Sequence, residues 1–320
     1  MKLAGLVLFA LSSTAVSAKP TFDEYLSTLR NETQALGLSE QTLDDAFASM
    51  QYREKTIVHD KAQPERKKIT LDAYIPRAVP AWKITKARKL YDENIELLER
   101  IGKDYGVQPR FIIALWGVET NFGNYTGNFS TLSALATLAY DGRREAFFKK
   151  ELFAALKIID EGHISIDNMK GSWAGAMGQV QFMPSSFNAY AVDYNNDGKK
   201  DIWNSRADAL ASAANYLKQA NWDDTYTWGR QVTLPKGYDA SVSGLKLTKT
   251  LPEWQALGIR TFEGKALPNV ELDASLIMPD GEKGRIYLAY NNYKSIMRWN
   301  RSDYFATSVA HLSDAIKFRD

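Results

Sequence analysis

The sequence predicts a mainly α protein, of the α+β type, with a small antiparallel β unit set into it. Apolar residues recur at three- and four-residue spacing through most of the chain up to residue 220. After residue 229 the texture changes to short β-like runs separated by Gly and Pro turns. Helical spacing then returns from Ser302. With 320 residues the chain can bury one large core or two smaller ones.

Composition narrows the function classes. The apolar fraction of 45% and charged fraction of 24% are those of an ordinary soluble protein, and a net charge of +2 gives no electrostatic case for nucleic acid. Aromatics at 12% are rich enough to stack on a sugar or another flat ligand, although most rings belong in the core. Cysteine is absent, which excludes disulfides, thiolate metal sites, a Cys nucleophile and a lipid-modified Cys. His59, His163 and His311 are scattered, which disfavours a His-based metal site or a Ser–His–Asp triad.

In chain order, residues 1–18 read as a secretory signal peptide. Lys2 supplies its positive end, Leu3 to Val16 its apolar stretch and Val16-Ser17-Ala18 its cleavage site. The apolar run is shorter than the roughly 20 residues of a membrane span, so export to the periplasm is expected. Residues 20–60 suggest a pair of short helices, 61–75 a polar stretch ending at Pro76, and 84–105 one charged amphipathic helix with Leu90, Ile95, Leu98 and Ile101 buried. Helices are expected over 109–120, 130–140, 145–161 and 207–220. The β-like runs are 231–234, 259–262, 272–277 and 285–290. The last helix spans Ser302 to Phe318, with Ser302 as N-cap and Phe305, Val309, Leu312 and Ile316 as its buried stripe.

The helix over 109–120 is apolar nearly all round, as a buried core helix is. It carries one carboxylate, Glu119. Burial of a lone carboxyl raises its pKa, which suits a general acid; a salt bridge at the mouth of the core is the plainer alternative. Gly117 permits close approach of another segment, and Thr120-Asn121-Phe122-Gly123 reads as a helix end opening into a loop. Glu119 is thus expected at the lip of a cleft.

Two further stretches stand out. Residues 171–186, Gly-Ser-Trp-Ala-Gly-Ala-Met-Gly-Gln-Val-Gln-Phe-Met-Pro-Ser-Ser, place three glycines within eight residues and Gln181 among apolar neighbours. A buried Gln needs partners, either a substrate group or, more commonly, a backbone carbonyl. Residues 193–208 match a calcium-loop template at positions 1, 3, 5, 6 and 9. Position 12 is Asn204 rather than Glu, with Asp208 the candidate to compensate; an acidic turn is the alternative.

A secluded Glu, a Gly-rich stretch with a Gln, many aromatics and export point to a glycan-cleaving enzyme. Ordinary glycosidases use two carboxylates, and no partner for Glu119 is evident; Asp141 is the nearest outside its own helix. One Glu doing both jobs is the reading that follows.

Ala-Leu-Trp-Gly-Val-Glu-Thr-Asn-Phe-Gly, Ala-Gly-Ala-Met-Gly-Gln-Val-Gln-Phe-Met-Pro-Ser-Ser and the Asp-rich loop closing on Asp-Ile-Trp-Asn together resemble the lytic murein transglycosylase B family. The resemblance runs through essentially the whole mature chain. It implies a lysozyme-like helical core, an additional helical domain and a small antiparallel β domain. Its division would be 19–105 N-terminal helical region, 106–228 catalytic core with the calcium-type loop, 229–290 β domain, and 291–320 returning to the core. It implies cleavage of the β-1,4 bond between N-acetylmuramic acid and N-acetylglucosamine in peptidoglycan, with Glu119 as acid and then base and 1,6-anhydromuramoyl products.

By the same resemblance Tyr74, Arg143, Arg144, Ser172, Gln181, Tyr216 and Asn300 would bind substrate. Asp193, Asn195, Asp197, the Lys199 carbonyl, Asp201 and Asp208 would hold a structural Ca2+, with Na+ as the alternative ion. Trp299 stands where Tyr is expected, which puts that polar contact in question. No cofactor is implied for the chemistry. The partners implied are glycan strands and cell-wall synthesis or remodelling proteins, with the chain a monomer. A hydrolytic muramidase and a non-catalytic peptidoglycan-binding scaffold are the competing readings.

Overall fold

The computed structural model describes residues 19–62 and 69–319. Residues 1–18, which read as a signal peptide, and part of the polar stretch 61–75 lie outside the described residues.

Three helices precede residue 62, rather than a pair: α1 (Phe22–Thr33), α2 (Glu40–Ser49) and α3 (Glu54–Lys61). Thr21 and Glu24 form a capping box at the start of α1, and the Ser39 side chain caps α2. The segment before Pro76 is itself helical, α4 (Leu71–Ala78). The long amphipathic helix expected over 84–105 is two helices, α5 (Ala81–Glu93) and α6 (Ile95–Tyr105). They break at Asn94, whose backbone leaves helical geometry and whose side-chain amide donates to the Leu90 carbonyl. Leu98 and Ile101 are buried as expected, whereas Leu90 and Ile95 are half-buried.

The central helix, α7 (Pro109–Thr120), begins on Pro109, where the missing N–H costs nothing. Residues from Arg110 to Gly117 are buried without interruption. Its neighbours are α14 (Asp303–Lys317), α5, α6 and α11 (Arg206–Gln219). Around this group lie α8 (Thr131–Asp141), α9 (Glu145–Asp160), α10 (Pro184–Tyr190) and α13 (Asn291–Trp299). Phe305, Val309, Leu312 and Ile316 of α14 face inward, and Ser302 caps it.

Strands β1 (Phe129–Ser130) and β2 (Lys170–Gly171) form a small antiparallel ladder. Residues 229–289 supply β3 (Gly229–Thr233), β4 (Lys249–Thr250), β5 (Arg260–Thr261), β6 (Asp273–Ile277) and β7 (Tyr287–Ala289). These form one antiparallel sheet in the order β4-β6-β7-β3-β5. The short helix α12 (Leu251–Ala256) packs beside it. Trp254, Leu276 and Leu288 anchor a second apolar cluster there, separate from the helical core.

Candidate active site

Glu119 owes its position to an abrupt ending of α7. Asn121, Phe122 and Gly123 all adopt left-handed backbone, at φ 52°, 61° and 78°. The Phe122 N–H reaches back to the Trp116 carbonyl at 3.1 Å and the Asn121 N–H to the Gly117 carbonyl at 3.2 Å, which satisfies the last carbonyls of the helix. The reversal folds Phe122 onto the helix it has just left. Its ring lies against Gly117, where a Cβ would sit 2.6 Å from it. Gly117 therefore does make room for a close neighbour, which is the chain's own next turn.

Gln179 clamps this end to the Gly-rich segment. Its Oε1 accepts from Trp116 Nε1 at 3.1 Å, its Nε2 donates to the Trp203 carbonyl at 3.1 Å, and its own carbonyl accepts from Thr120 Oγ1 at 2.6 Å. Thr120 Oγ1 in turn accepts from the Gly123 N–H at 2.9 Å. Every polar group of this buried network has a partner. The sequence does not single out Gln179, because Gly178-Gln179-Val180-Gln181 offers two glutamines in alternation.

The Glu119 side chain is only partly exposed, and Oε1 accepts a hydrogen bond of 2.6 Å from Trp299 Nε1. Loss of hydration raises its pKa to about 7, against a smaller lowering by the Trp299 N–H. Among the described residues, no second carboxylate enters that balance. Asp141, the next carboxylate along the chain after Glu119, pairs instead with Lys61 at 3.7 Å. Trp299 stands in a wall of rings: its centroid is 4.7 Å from that of Tyr216 and 5.2 Å from that of Phe182, and Tyr216 is 4.5 Å from Tyr190. Trp in place of the expected Tyr therefore keeps a polar contact, because the indole N–H supplies it.

The other sequence-predicted residues scatter. Tyr216 stands beside Trp299, and its hydroxyl donates to the Arg298 carbonyl at 2.7 Å. Asn300 follows Trp299 as the exposed C-cap of α13. Gln181, at φ 51°, donates to the Thr126 and Gly178 carbonyls at 3.0 Å each, so its amide nitrogen serves the backbone. Ser172 Oγ accepts from the Ala174 and Ala176 N–H groups and shapes the Gly-rich turn. Tyr74 packs edge-on against Tyr304 at 5.1 Å and makes no hydrogen bond to Glu119. Arg143 and Arg144 both pair with the buried carboxylate of Asp60 on α3.

In the 193–208 loop, Asp193 accepts from the Asp197 and Gly198 N–H groups, and Asn195 and Asp197 accept from residues two further on. Gly198 takes φ 90°, the sharp turn expected of it. Asp208 points inward: its oxygens accept from the Tyr194, Asn195 and Asp201 N–H groups at 3.0, 3.2 and 3.0 Å. Asp201 likewise accepts from the Trp203 and Asn204 N–H groups. The donors are hard oxygens of the kind calcium takes. Among the described residues, no three carboxylate or imidazole groups converge to metal-binding distance. No helix there is long and apolar enough to cross a membrane.

Comparison with known proteins identifies the family. The family described as Transglycosylase SLT domain matches residues 21–314. Membrane-bound lytic murein transglycosylase B of Escherichia coli K12 is 34% identical over 229 residues, which cover 71% of this chain and 62% of that protein, somewhat under two thirds of its length. The crystal structure of SltB3 from Pseudomonas aeruginosa, in complex with NAG-anhNAM-pentapeptide, superposes with a TM-score of 0.89 at 38% identity, covering 93% of this chain and 80% of that one. Escherichia coli Slt35, in complex with calcium, superposes with a TM-score of 0.78 at 28% identity, covering 92% of each chain. The lysozyme-like helical architecture and the match along nearly the whole described chain have one reading: this protein belongs to the lytic murein transglycosylase B family.

Proposed function

We propose that this protein is a lytic transglycosylase that cleaves the β-1,4 bond between N-acetylmuramic acid and N-acetylglucosamine in peptidoglycan. The observation that carries the reading is a single shielded carboxyl, Glu119, with its pKa raised to about 7 and no second carboxylate acting on it among the described residues. Near neutral pH such a group donates and accepts a proton with similar ease.

Protonated Glu119 gives its proton to the glycosidic oxygen as the bond from that oxygen to the muramoyl anomeric carbon breaks. The substrate's 2-acetamido oxygen stabilises the cationic carbon. Glu119, now a carboxylate held by the Trp299 N–H, takes the proton of the muramoyl 6-hydroxyl as that oxygen bonds to the anomeric carbon. The proton is back on Glu119, no water is consumed, and a 1,6-anhydro ring remains. The Tyr216–Trp299 wall with Asn300, and Ser172 and Gln181 on the Gly-rich turn, would line the glycan path. Tyr74, Arg143 and Arg144 would lie further along it.

The same reading places the chain in the periplasm after removal of residues 1–18, acting as a monomer and open to recruitment by cell-wall remodelling proteins. It divides the remainder at about residues 105, 228 and 290. The calcium complex of Slt35 supports a structural ion here, held by Asp193, Asn195, Asp197, the Lys199 carbonyl and Asp201, with Asp208 bracing the loop from within. The ion would offset the loop's negative charge.

Mass spectrometry of muropeptides released from purified peptidoglycan tests the function. Products one water lighter than hydrolytic ones, without a reducing end, are expected. Reducing-end products would establish a muramidase instead, and binding without release a scaffold.

A further inference from the structure

The end of α7 remote from Glu119 opens on a cavity of about 410 Å³. Arg110, in the first turn of the helix, lines it, which sets it roughly 14 Å along the helix axis from the acid. The start of β3, the turn after β5 and the end of α14 form its walls. Most of its charges are matched. Arg110 pairs with Asp314 at 3.0 Å, and Trp228 Nε1 donates to the same carboxylate at 2.8 Å. Arg230 donates to the Tyr290 hydroxyl at 2.5 Å, and its charge acts on Glu263 together with that of Lys265. Burial pushes the His311 pKa down to about 4, so that ring is neutral. Gln231 and Lys317 have no hydrogen-bond partner among the described residues. Phe262 and Phe318 stand on the rim, 59% and 61% exposed. A single exposed ring is ordinary; here two open onto one cavity.

We propose that this cavity is an accessory site for N-acetylhexosamine glycan, which anchors the protein to a strand outside the catalytic cleft. The inference rests on the glycan-cleaving function proposed above and adds a second point of attachment to it. The matched charges leave only Lys317 in surplus, too little to select an acidic ligand. A sugar presents C–H faces to the two rings, and hydroxyl and acetamido groups to the Gln231 amide, which both donates and accepts. The volume is that of a small-ligand site. A protein strand fits less well, because β5 already closes the edge of β3 at Val232 and Thr233, and Gly229 is buried. Two sites on one chain raise the effective concentration of each at the glycan surface.

Calorimetric titration of Glu119→Gln protein with the N-acetylglucosamine tetramer counts the sites without turnover. Two are expected, one of them lost when Phe262→Ala and Phe318→Ala are added. In the active enzyme the same pair of substitutions should lower retention on insoluble chitin roughly tenfold. It should leave kcat on a short soluble peptidoglycan fragment unchanged. Phe262→Tyr with Phe318→Tyr should keep the retention, and Gln231→Ala should weaken it. Raised salt should leave the difference in place, because no ion pair carries it.

A single tetramer site in the Glu119→Gln protein would overturn the proposal, as would chitin retention that survives the two Ala substitutions. A difference that vanishes in high salt would reassign the cavity to an anion held by Lys317. Two tetramer sites in a protein whose wild type releases no product from peptidoglycan would sustain this inference while removing the cleavage reading. Product release with a single site would do the reverse.

Discussion

Trp299 Nε1 lies 2.6 Å from Glu119 Oε1, so a donor from α13 holds the one carboxyl on the central helix. That N–H favours the ionised form, whereas burial favours the neutral form more strongly, and the two together leave the group near pH 7. Trp299→Phe deletes the donor while preserving an aromatic wall. The pH–rate limb assigned to Glu119 should move up by roughly one unit, and kcat should fall because the carboxylate stage of the cycle loses its support. Trp299→Tyr should return much of both. A limb that stays in place in the Phe variant would separate Trp299 from the proton cycle.

Glu119→Gln should abolish turnover and report the cost of the poorly hydrated acid. The folded-state pKa of about 7 lies above the ordinary value of 4.5. As pH rises through this window the unfolded chain ionises first, so stability declines from about pH 4.5 to pH 7 and levels off above. The full difference is on the order of 3 kcal/mol. The Gln variant escapes it and should melt several degrees higher than wild type at pH 8, with little gain at pH 5. An equal gain at both values would place the effect elsewhere.

Gly117→Ala tests the reversal after α7. The added Cβ would stand 2.6 Å from the Phe122 ring and 3.1 Å from Leu312 Cδ2. Overpacking of this kind costs about 1–3 kcal/mol, and relief requires Phe122 to move. Denaturant midpoints should fall and kcat should drop with them, since Glu119 lies between the two residues in sequence. A variant of wild-type stability and activity would mean that the turn yields easily.

The Asp193 loop should report calcium through melting. Chelation is expected to lower the melting temperature and added calcium to restore it, and Asp193→Ala should remove that response. Asp208→Ala should destabilise with or without calcium, by about 2–5 kcal/mol, because three backbone N–H groups lose their acceptor. Calcium responsiveness retained in the Asp193 variant would locate the ion elsewhere.

Much of the helical frame was legible because its signals are local. The all-round apolar run of α7 and the Ser302 cap of α14 can be read in a dozen residues each. The break at Asn94 was not, since the apolar stripe continues across it and only a side-chain bond to Leu90 marks the interruption. The site was legible to the extent that it is local too. Glu119 stood out as the lone carboxylate of an apolar helix. Its Trp299 partner is 180 residues away along the chain, and no periodicity links the two. Arg143 and Arg144 are assigned to substrate by resemblance, and their pairing with Asp60 is not legible because that carboxylate is likewise remote in the chain. Gln179 and Gln181 are alike in sequence, and what separates them is remote: Trp116 and Trp203 engage the side chain of one, and Thr126 that of the other.

That separation along the chain has a bearing on the protein's biosynthesis. Residues up to 220 already contain the helix that bears the acid, yet the group that steadies its anion arrives only with α13. In a nascent chain, or one clipped before Trp299, α5, α6 and α11 are present beside α7, but α14 and the Trp299 donor of Glu119 are missing. The Trp299 donor is therefore acquired late, when the last two helices dock, and truncation before Trp299 would remove both that donor and α14, which packs along α7.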